Sequence, residues 1–214
     1  MGRNMGDANP TVLIVDDDSE FREAVGRLLR SVGVDSCPFA SVSEFLNAAL
    51  PSGPTCLLLD VRLPGRSGLE LQRELHATEN RLPIIFITAH GDVPMSVQAM
   101  KGGAIEFLTK PFRDQDLLDA IETALARDRE QRAKEKALDS LRERFDSLSS
   151  REREILVQVT AGRLNKQIAS VIGISESTVK VHRTNLMRKM KARSLPELSR
   201  MADALKLSAE NKAS

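Results

Sequence analysis

Five short runs of β-favouring apolar residues, TVLIV, VDSCPF, TCLLLD, PIIFIT and AIEFL, alternate with amphipathic stretches between residues 11 and 125. This alternation constrains the fold most. Runs that are apolar throughout, rather than at every second position, belong to strands buried on both faces, which calls for a parallel sheet with helices packed on either side. The helical stretches fall at 19–31, 41–49, 68–78, 92–102 and from 114 onward. In the first of them Phe21, Val25, Leu28 and Leu29 share one face, and Gly33 follows as a stop signal. The expected unit is a five-stranded, parallel, doubly wound α/β domain over residues 10–125.

The chain has 214 residues, enough for a second domain. Residues 126–147, ARDREQRAKEKALDSLRERFDS, contain no Gly or Pro and carry acid-to-base pairs four apart, Asp128 with Arg132 and Glu130 with Lys134. Such pairs support a solvated helix. Its apolar residues, Leu138, Leu141, Phe145 and Leu148, lie only in the distal half. A charged helical linker over 126–145 is the first reading and a short dimeric coiled coil the second, because no heptad seam is sustained. Beyond Ser149 the strand-like runs stop, and helices are expected near 150–161, 165–172, 176–190 and 195–206, an all-α unit over 146–207. Ser149 and Glu152 form a capping-box pattern at its start. Residues 1–9 and 208–214 read as flexible ends.

The formal net charge of +1 conceals opposed halves. Residues 1–125 carry 11 Lys and Arg against 18 Asp and Glu, a net −7, whereas residues 149–214 carry 13 against 6, a net +7. The basic end suits a polyanion, and the acidic end a cation or a basic surface. No apolar run approaches the roughly 20 residues of a membrane helix, and no signal-peptide core opens the chain, so the expected location is the cytoplasm, away from membranes. Cys37 and Cys56 lie inside strand-like runs without metal-ligand spacing and read as reduced core thiols.

Open α/β sheets bind ligands at the carboxyl ends of their strands. Asp16 and Asp17 end the first strand, Asp60 the third and Thr88 the fourth, and Lys110 follows the fifth, so all five project to one edge. Converging carboxylates repel one another, and a hard divalent cation, Mg²⁺ or Mn²⁺, relieves that repulsion. A lysine and a hydroxyl at the same edge can stabilise an oxyanion, which together describes phosphoryl transfer to a carboxylate, with Asp60 as the nucleophile. Asp18 reads instead as the cap of the first helix, with Ser19.

The motifs VDDD, LLLDVRLPGRSGLEL, FITAHGD and GAIEFLTKPF, in that order, resemble the receiver domain of bacterial two-component response regulators over about residues 10–125. The resemblance implies a flavodoxin-like (CheY-like) fold in which Asp60 accepts a phosphoryl group from the phosphohistidine of a sensor histidine kinase. It implies Mg²⁺ held by Asp17, Asp60 and the backbone carbonyl of Arg62, with Asp16 acting through water. Thr88 and Lys110 would contact the phosphoryl group, Thr88 and Phe107 would form the switch, and Arg62 and His90 would modulate phosphoryl lifetime. Phe107, His76 and His90 each have a plainer reading, as core or surface residues. A haloacid-dehalogenase-type phosphatase also places aspartates after its first strand, but the spacing of Asp16, Asp18 and Glu20 does not fit it well.

In NKQIASVIGISESTVKVHRTNLMRKM, Ala169 permits close helix approach and Gly173 makes a turn, the helix-turn-helix pattern. Ser175 caps the second helix, and Val179, His182, Leu186 and Met190 form its inner stripe. By subtraction Ser177, Lys180, Val181, Thr184 and Arg188 face outward to a major groove, with Lys180 suited to guanine edges and Val181 to thymine methyls. Lys166, Thr178, Arg183 and Lys189 suit phosphates. The segment resembles the LuxR, FixJ and NarL type of output domain over about residues 146–207, which implies a four-helix unit reading double-stranded DNA. Its last helix, with Leu198, Met201, Ala202 and Leu205, would serve dimerisation or internal packing. The combined expectation is a transcriptional response regulator, not an enzyme beyond accepting and losing its phosphoryl group, that forms a homodimer on phosphorylation and engages RNA polymerase. The rival is a phosphoryl-transfer enzyme or relay carrier whose C-terminal helices bind protein.

Overall fold

The protein is described from a computed structural model covering residues 9–78, 81–89 and 91–205. The expected flexible ends fall outside these residues, apart from Asn9 in the first and none in the second. Two compact units divide the chain between Arg132 and Ala133.

The first unit contains strands β1 (Thr11–Val15), β2 (Asp35–Phe39), β3 (Thr55–Asp60), β4 (Ile84–Thr88) and β5 (Glu106–Thr109), all parallel in the order β2-β1-β3-β4-β5. The three central strands are buried at every residue, and the two edge strands are half-exposed. Pro38 sits in edge strand β2, where its missing N–H costs no inner ladder bond.

Alternation along the strands splits the core in two. Leu13, Val15, Leu57, Leu59 and Phe86 face α2 (Val42–Leu46), α3 (Gly68–Ala77) and α4 (Val93–Lys101). Val12, Ile14, Leu58, Ile85 and Ile87 face α1 (Ser19–Ser31) and the start of α5 (Asp114–Asp146). The doubly wound expectation holds, and truncating one such residue, Leu58→Ala, costs about 2–5 kcal/mol. Helix α2 is shorter than the periodicity of 41–49 suggested. Cys56 is fully buried, and burial, helped by the Asp128 charge, pushes its thiol up to about 12, whereas Cys37 on the edge strand is only half-buried.

The charged segment differs from the sequence reading in one respect. It is the continuation of the last helix of the α/β unit: α5 runs unbroken over 33 residues. Its buried face extends past residue 125, because the Asp128 carboxylate, 6% exposed, accepts the backbone N–H of Thr55 at 2.8 Å. Arg132 donates to the same carboxylate at 2.5 Å and to the Ser52 carbonyl at 3.1 Å. The Asp128–Arg132 pair is therefore a tertiary anchor at the start of β3 and not only solvated helix decoration.

The second unit contains the distal part of α5, α6 (Ser150–Thr160), α7 (Asn165–Ile172), α8 (Glu176–Met190) and α9 (Leu195–Ala204). Its core gathers Leu148, Ile155, Leu156, Ile168, Val179, Leu186 and Met190, with Leu141 and Phe145 packed against it. Gly173 turns the chain between α7 and α8 at φ +71°, a conformation in which a Cβ is strained. Leu198 and Ala202 of α9 are core residues, and Met201 and Leu205 pack against them, so that stripe is used inside its own domain. No helix among the described residues is long and apolar enough to cross a membrane.

Candidate functional site

The end of β1 places Asp16 and Asp17 beside the end of β3, since Val15 pairs with Leu59. Carboxylate oxygens of Asp16, Asp17 and Asp60 lie within 4.8 Å of one another. Asp16 and Asp60 are buried and Asp17 is exposed, so the cluster opens to solvent on one side. Three hard oxygen donors at this spacing fit a Mg²⁺-type cation.

Lys110 reaches the same point from β5. Its backbone N–H donates to the Thr88 carbonyl at 2.8 Å, and its Nζ lies 2.7 Å from Asp16 Oδ2 and 3.6 Å from Asp60 Oδ2. The other Asp16 oxygen accepts the Asp18 amide at 2.9 Å, and Asp60 Oδ1 accepts the Arg62 amide at 2.9 Å. Burial pushes the Asp60 carboxyl above its ordinary value; the Arg62 amide and Lys110 oppose this, and the Asp16 and Asp17 charges add to it. Gly68 is needed here for close approach: a Cβ at this position would lie 2.3 Å from the Asp60 carbonyl oxygen.

Asp18 is the cap that the sequence suggested, accepting the amides of Glu20 at 2.9 Å and Phe21 at 3.1 Å. Thr88 ends β4 next to β3 and is buried. Phe107 is partly buried, 6.3 Å from Phe86 between ring centroids, and joins the core on the α4 side. His90 lies outside the described residues. Gly91 packs against the expected switch residues with no sign in its local sequence: a Cβ there would come within 2.8 Å of the Phe107 ring and 3.1 Å of the Thr88 methyl. Phe21, whose spacing marks only the apolar face of α1, does more: one turn beyond the aspartates, its ring meets Lys110.

In the second unit Ser177, Lys180, Val181, Thr184 and Arg188 are exposed along one side of α8, as is Lys166 on α7. Thr178 and Arg183 are half-buried, and Arg183 donates to the Asn165 side chain. Lys189, expected among the phosphate contacts, is engaged within its own domain: it donates to the Glu152 carboxylate at 2.7 Å and to the Ser147 carbonyl at 3.1 Å. Glu152 closes the capping box of α6, and its carboxylate also accepts the Ser149 amide at 2.8 Å. Burial acts to raise the Glu152 carboxyl, but Lys189 and the Ser149 donors outweigh it and hold the group below its ordinary value.

An acidic, lysine-bearing strand edge and a separate basic helical unit are matched by two family descriptions. "Response regulator receiver domain" covers residues 12–122 and "Bacterial regulatory proteins, luxR family" covers residues 146–202. The chain belongs to the response regulators. Nodulation protein W of Bradyrhizobium diazoefficiens is 46% identical over 98% of this chain and 92% of its own length. The response regulator protein TodT of Pseudomonas putida is 48% identical over 97% of this chain and 92% of its own. The solved structure described as the response regulator StyR is 50% identical, covers 92% of this chain and 99% of that one, and superposes with a TM-score of 0.82. This response regulator thus combines a receiver domain with a LuxR-type DNA-binding domain, and its relatives include transcriptional regulators; nothing favours the alternative of a protein-binding C-terminus.

Proposed function

We propose that Asp60 is the phosphoacceptor and that its occupancy controls dimerisation and sequence-specific binding of double-stranded DNA. The observation that carries this is the placement of the Lys110 ammonium between Asp16 and Asp60, beside the Asp60 oxygen that does not accept the Arg62 amide. That oxygen attacks phosphorus. The P–N bond of a sensor kinase phosphohistidine breaks as the P–O bond forms, and the imidazole nitrogen keeps the bonding pair and takes a proton from water. Lys110 and the Thr88 hydroxyl offset the charge on the phosphoryl oxygens. Mg²⁺ or Mn²⁺, held by Asp17, Asp60 and the Arg62 carbonyl, with Asp16 through water, supplies further charge neutralisation when bound.

Thr88 and Phe107 relay the event to the face formed by α4 and β5, and two output domains are brought to one duplex in the cytoplasm, where RNA polymerase is the downstream partner. Ser177, Lys180, Val181, Thr184 and Arg188 read the groove, while Lys166, Thr178 and Arg183 contact phosphates. The test is Asp60→Asn. Acetyl-phosphate-dependent modification and its stimulation of DNA affinity should both vanish, and stimulation that survives the substitution refutes the reading.

A further inference from the structure

Lys110 has a third neighbour besides the two carboxylates. Its Nζ lies 3.7 Å from the centroid of the Phe21 ring. Phe112, two residues after Lys110, braces that ring edge-on, with centroids 6.1 Å apart and planes at 89°. Phe21 is fixed from below as well, because its own amide donates to the Asp18 carboxylate that caps α1. An ammonium carries three N–H donors and no acceptor. Here two carboxylates and one π face surround it, and its side chain is only 20% exposed.

The choice of a ring at this place has a physical consequence. The negative face of an aromatic ring attracts a cation without formal charge. Another carboxylate would draw Lys110 away from Asp60 and add to the repulsion in the cluster; an aliphatic side chain would leave the ammonium to water. We infer that Phe21 is a positioning residue for phosphoryl transfer, its ring face holding the Lys110 ammonium beside Asp60 Oδ2 so that the cation meets the arriving phosphoryl group in place. The inference rests on Asp60 as acceptor. In the step it serves, an Asp60 oxygen lone pair forms the P–O bond and the bond to the leaving group breaks. With acetyl phosphate, acetate departs with the bonding pair and no proton moves. Phe21 touches neither phosphorus nor donor.

The experiment uses the full-length protein, Mg²⁺ and acetyl phosphate, with position 21 carrying phenylalanine or its mono-, di- and trifluorinated analogues. Fluorine withdraws charge from the ring face while nearly preserving ring size. The logarithm of the phosphorylation rate should fall stepwise with fluorine number, by roughly three- to tenfold across the series. Phe21→Leu should fall at least as far, Phe21→Trp should retain the rate, and the thermal midpoint should stay level through the fluorinated set. A flat rate across the series overturns the inference, and a loss confined to Phe21→Leu assigns Phe21 to packing alone. Modification that persists in Asp60→Asn fails differently: it removes the acceptor itself and the inference with it.

Discussion

Lys189 lies on α8, the helix proposed to read DNA, so its removal would ordinarily be expected to delete a phosphate contact. The structure predicts a different phenotype. In Lys189→Gln, the Glu152 side chain, 5% exposed, loses an ammonium at 2.7 Å and keeps the Ser149 amide at 2.8 Å. Orphaning a buried charge completely costs about 3–5 kcal/mol. The Ser149 donors remain and Lys189 is 31% exposed, so the loss of a single charge-assisted hydrogen bond, about 2 kcal/mol, is the better measure. For a unit of this size that lowers the thermal midpoint of the output domain by roughly 8–16 °C.

Two measurements separate this role from DNA contact. Each neutralised phosphate contributes about 0.9 to the slope of log affinity against log salt. Lys166→Gln should reduce that slope by about 0.9 for each bound subunit, whereas Lys189→Gln should leave it unchanged while weakening the domain. The pH dependence provides the second. With its carboxyl below the ordinary value, wild-type Glu152 contributes stability that is present above the unfolded carboxylate pKa and lost as pH falls through the lower folded one. Without Lys189 the Glu152 carboxyl loses part of what holds it down, so the output domain of the variant should lose less stability on acidification than the wild type does. A reduced salt slope with an unchanged thermal midpoint would refute the internal-pair reading and return Lys189 to the DNA.

Asp128→Asn should lower the unfolding free energy of the receiver domain in urea by about 1–3 kcal/mol and speed hydrogen exchange at the Thr55 amide, because that N–H would lose a charged acceptor. Asp139→Asn, in a pair where both side chains are more than half exposed, should change stability by less than about 0.5 kcal/mol. Asp60→Asn should raise the thermal midpoint of the metal-free protein at neutral pH. Its carboxyl lies above the ordinary value, so the ionised group destabilises the fold as pH rises through the folded pKa, and the advantage of the amide should disappear at acidic pH. Added Mg²⁺ should reverse the ranking by stabilising the wild type.

Much of the architecture was legible because it depends on local pattern. The continuous apolar runs of β1, β3 and β4 marked a sheet covered on both faces, and Ser149, Ser175 and Gly173 marked helix starts and a turn by side-chain chemistry that acts within three residues. Asp16, Asp17, Asp60 and Lys110 could be placed at one edge because parallel topology itself brings strand ends together. What escaped was of another kind. Asp128 reads as half of a solvated pair until Thr55, 73 residues away, supplies its donor. Lys189 reads as a DNA contact alone, with no local sign that Glu152, 37 residues away, shares its charge. A charged residue on a helix carries no local sign of a distant buried partner, so pattern assigns it to solvent or to ligand by default.

The three consecutive aspartates show how tightly local and distant contacts combine at the receiver site. Asp18 accepts the Phe21 amide, the Phe21 ring faces Lys110, Lys110 donates to Asp16, and Asp16 in turn accepts the Asp18 amide, which closes a ring of four contacts. The cap of α1 therefore does more than start a helix. Asp18→Ala removes a capping interaction of about 1 kcal/mol and also releases the backbone that orients Phe21. It should slow phosphorylation by acetyl phosphate several-fold, whereas Asp18→Asn, which can still accept both amides, should restore the rate. If Asp18→Ala lowers the thermal midpoint while the phosphorylation rate stays at the wild-type value, the cap acts on stability alone and the ring of contacts does not reach Lys110.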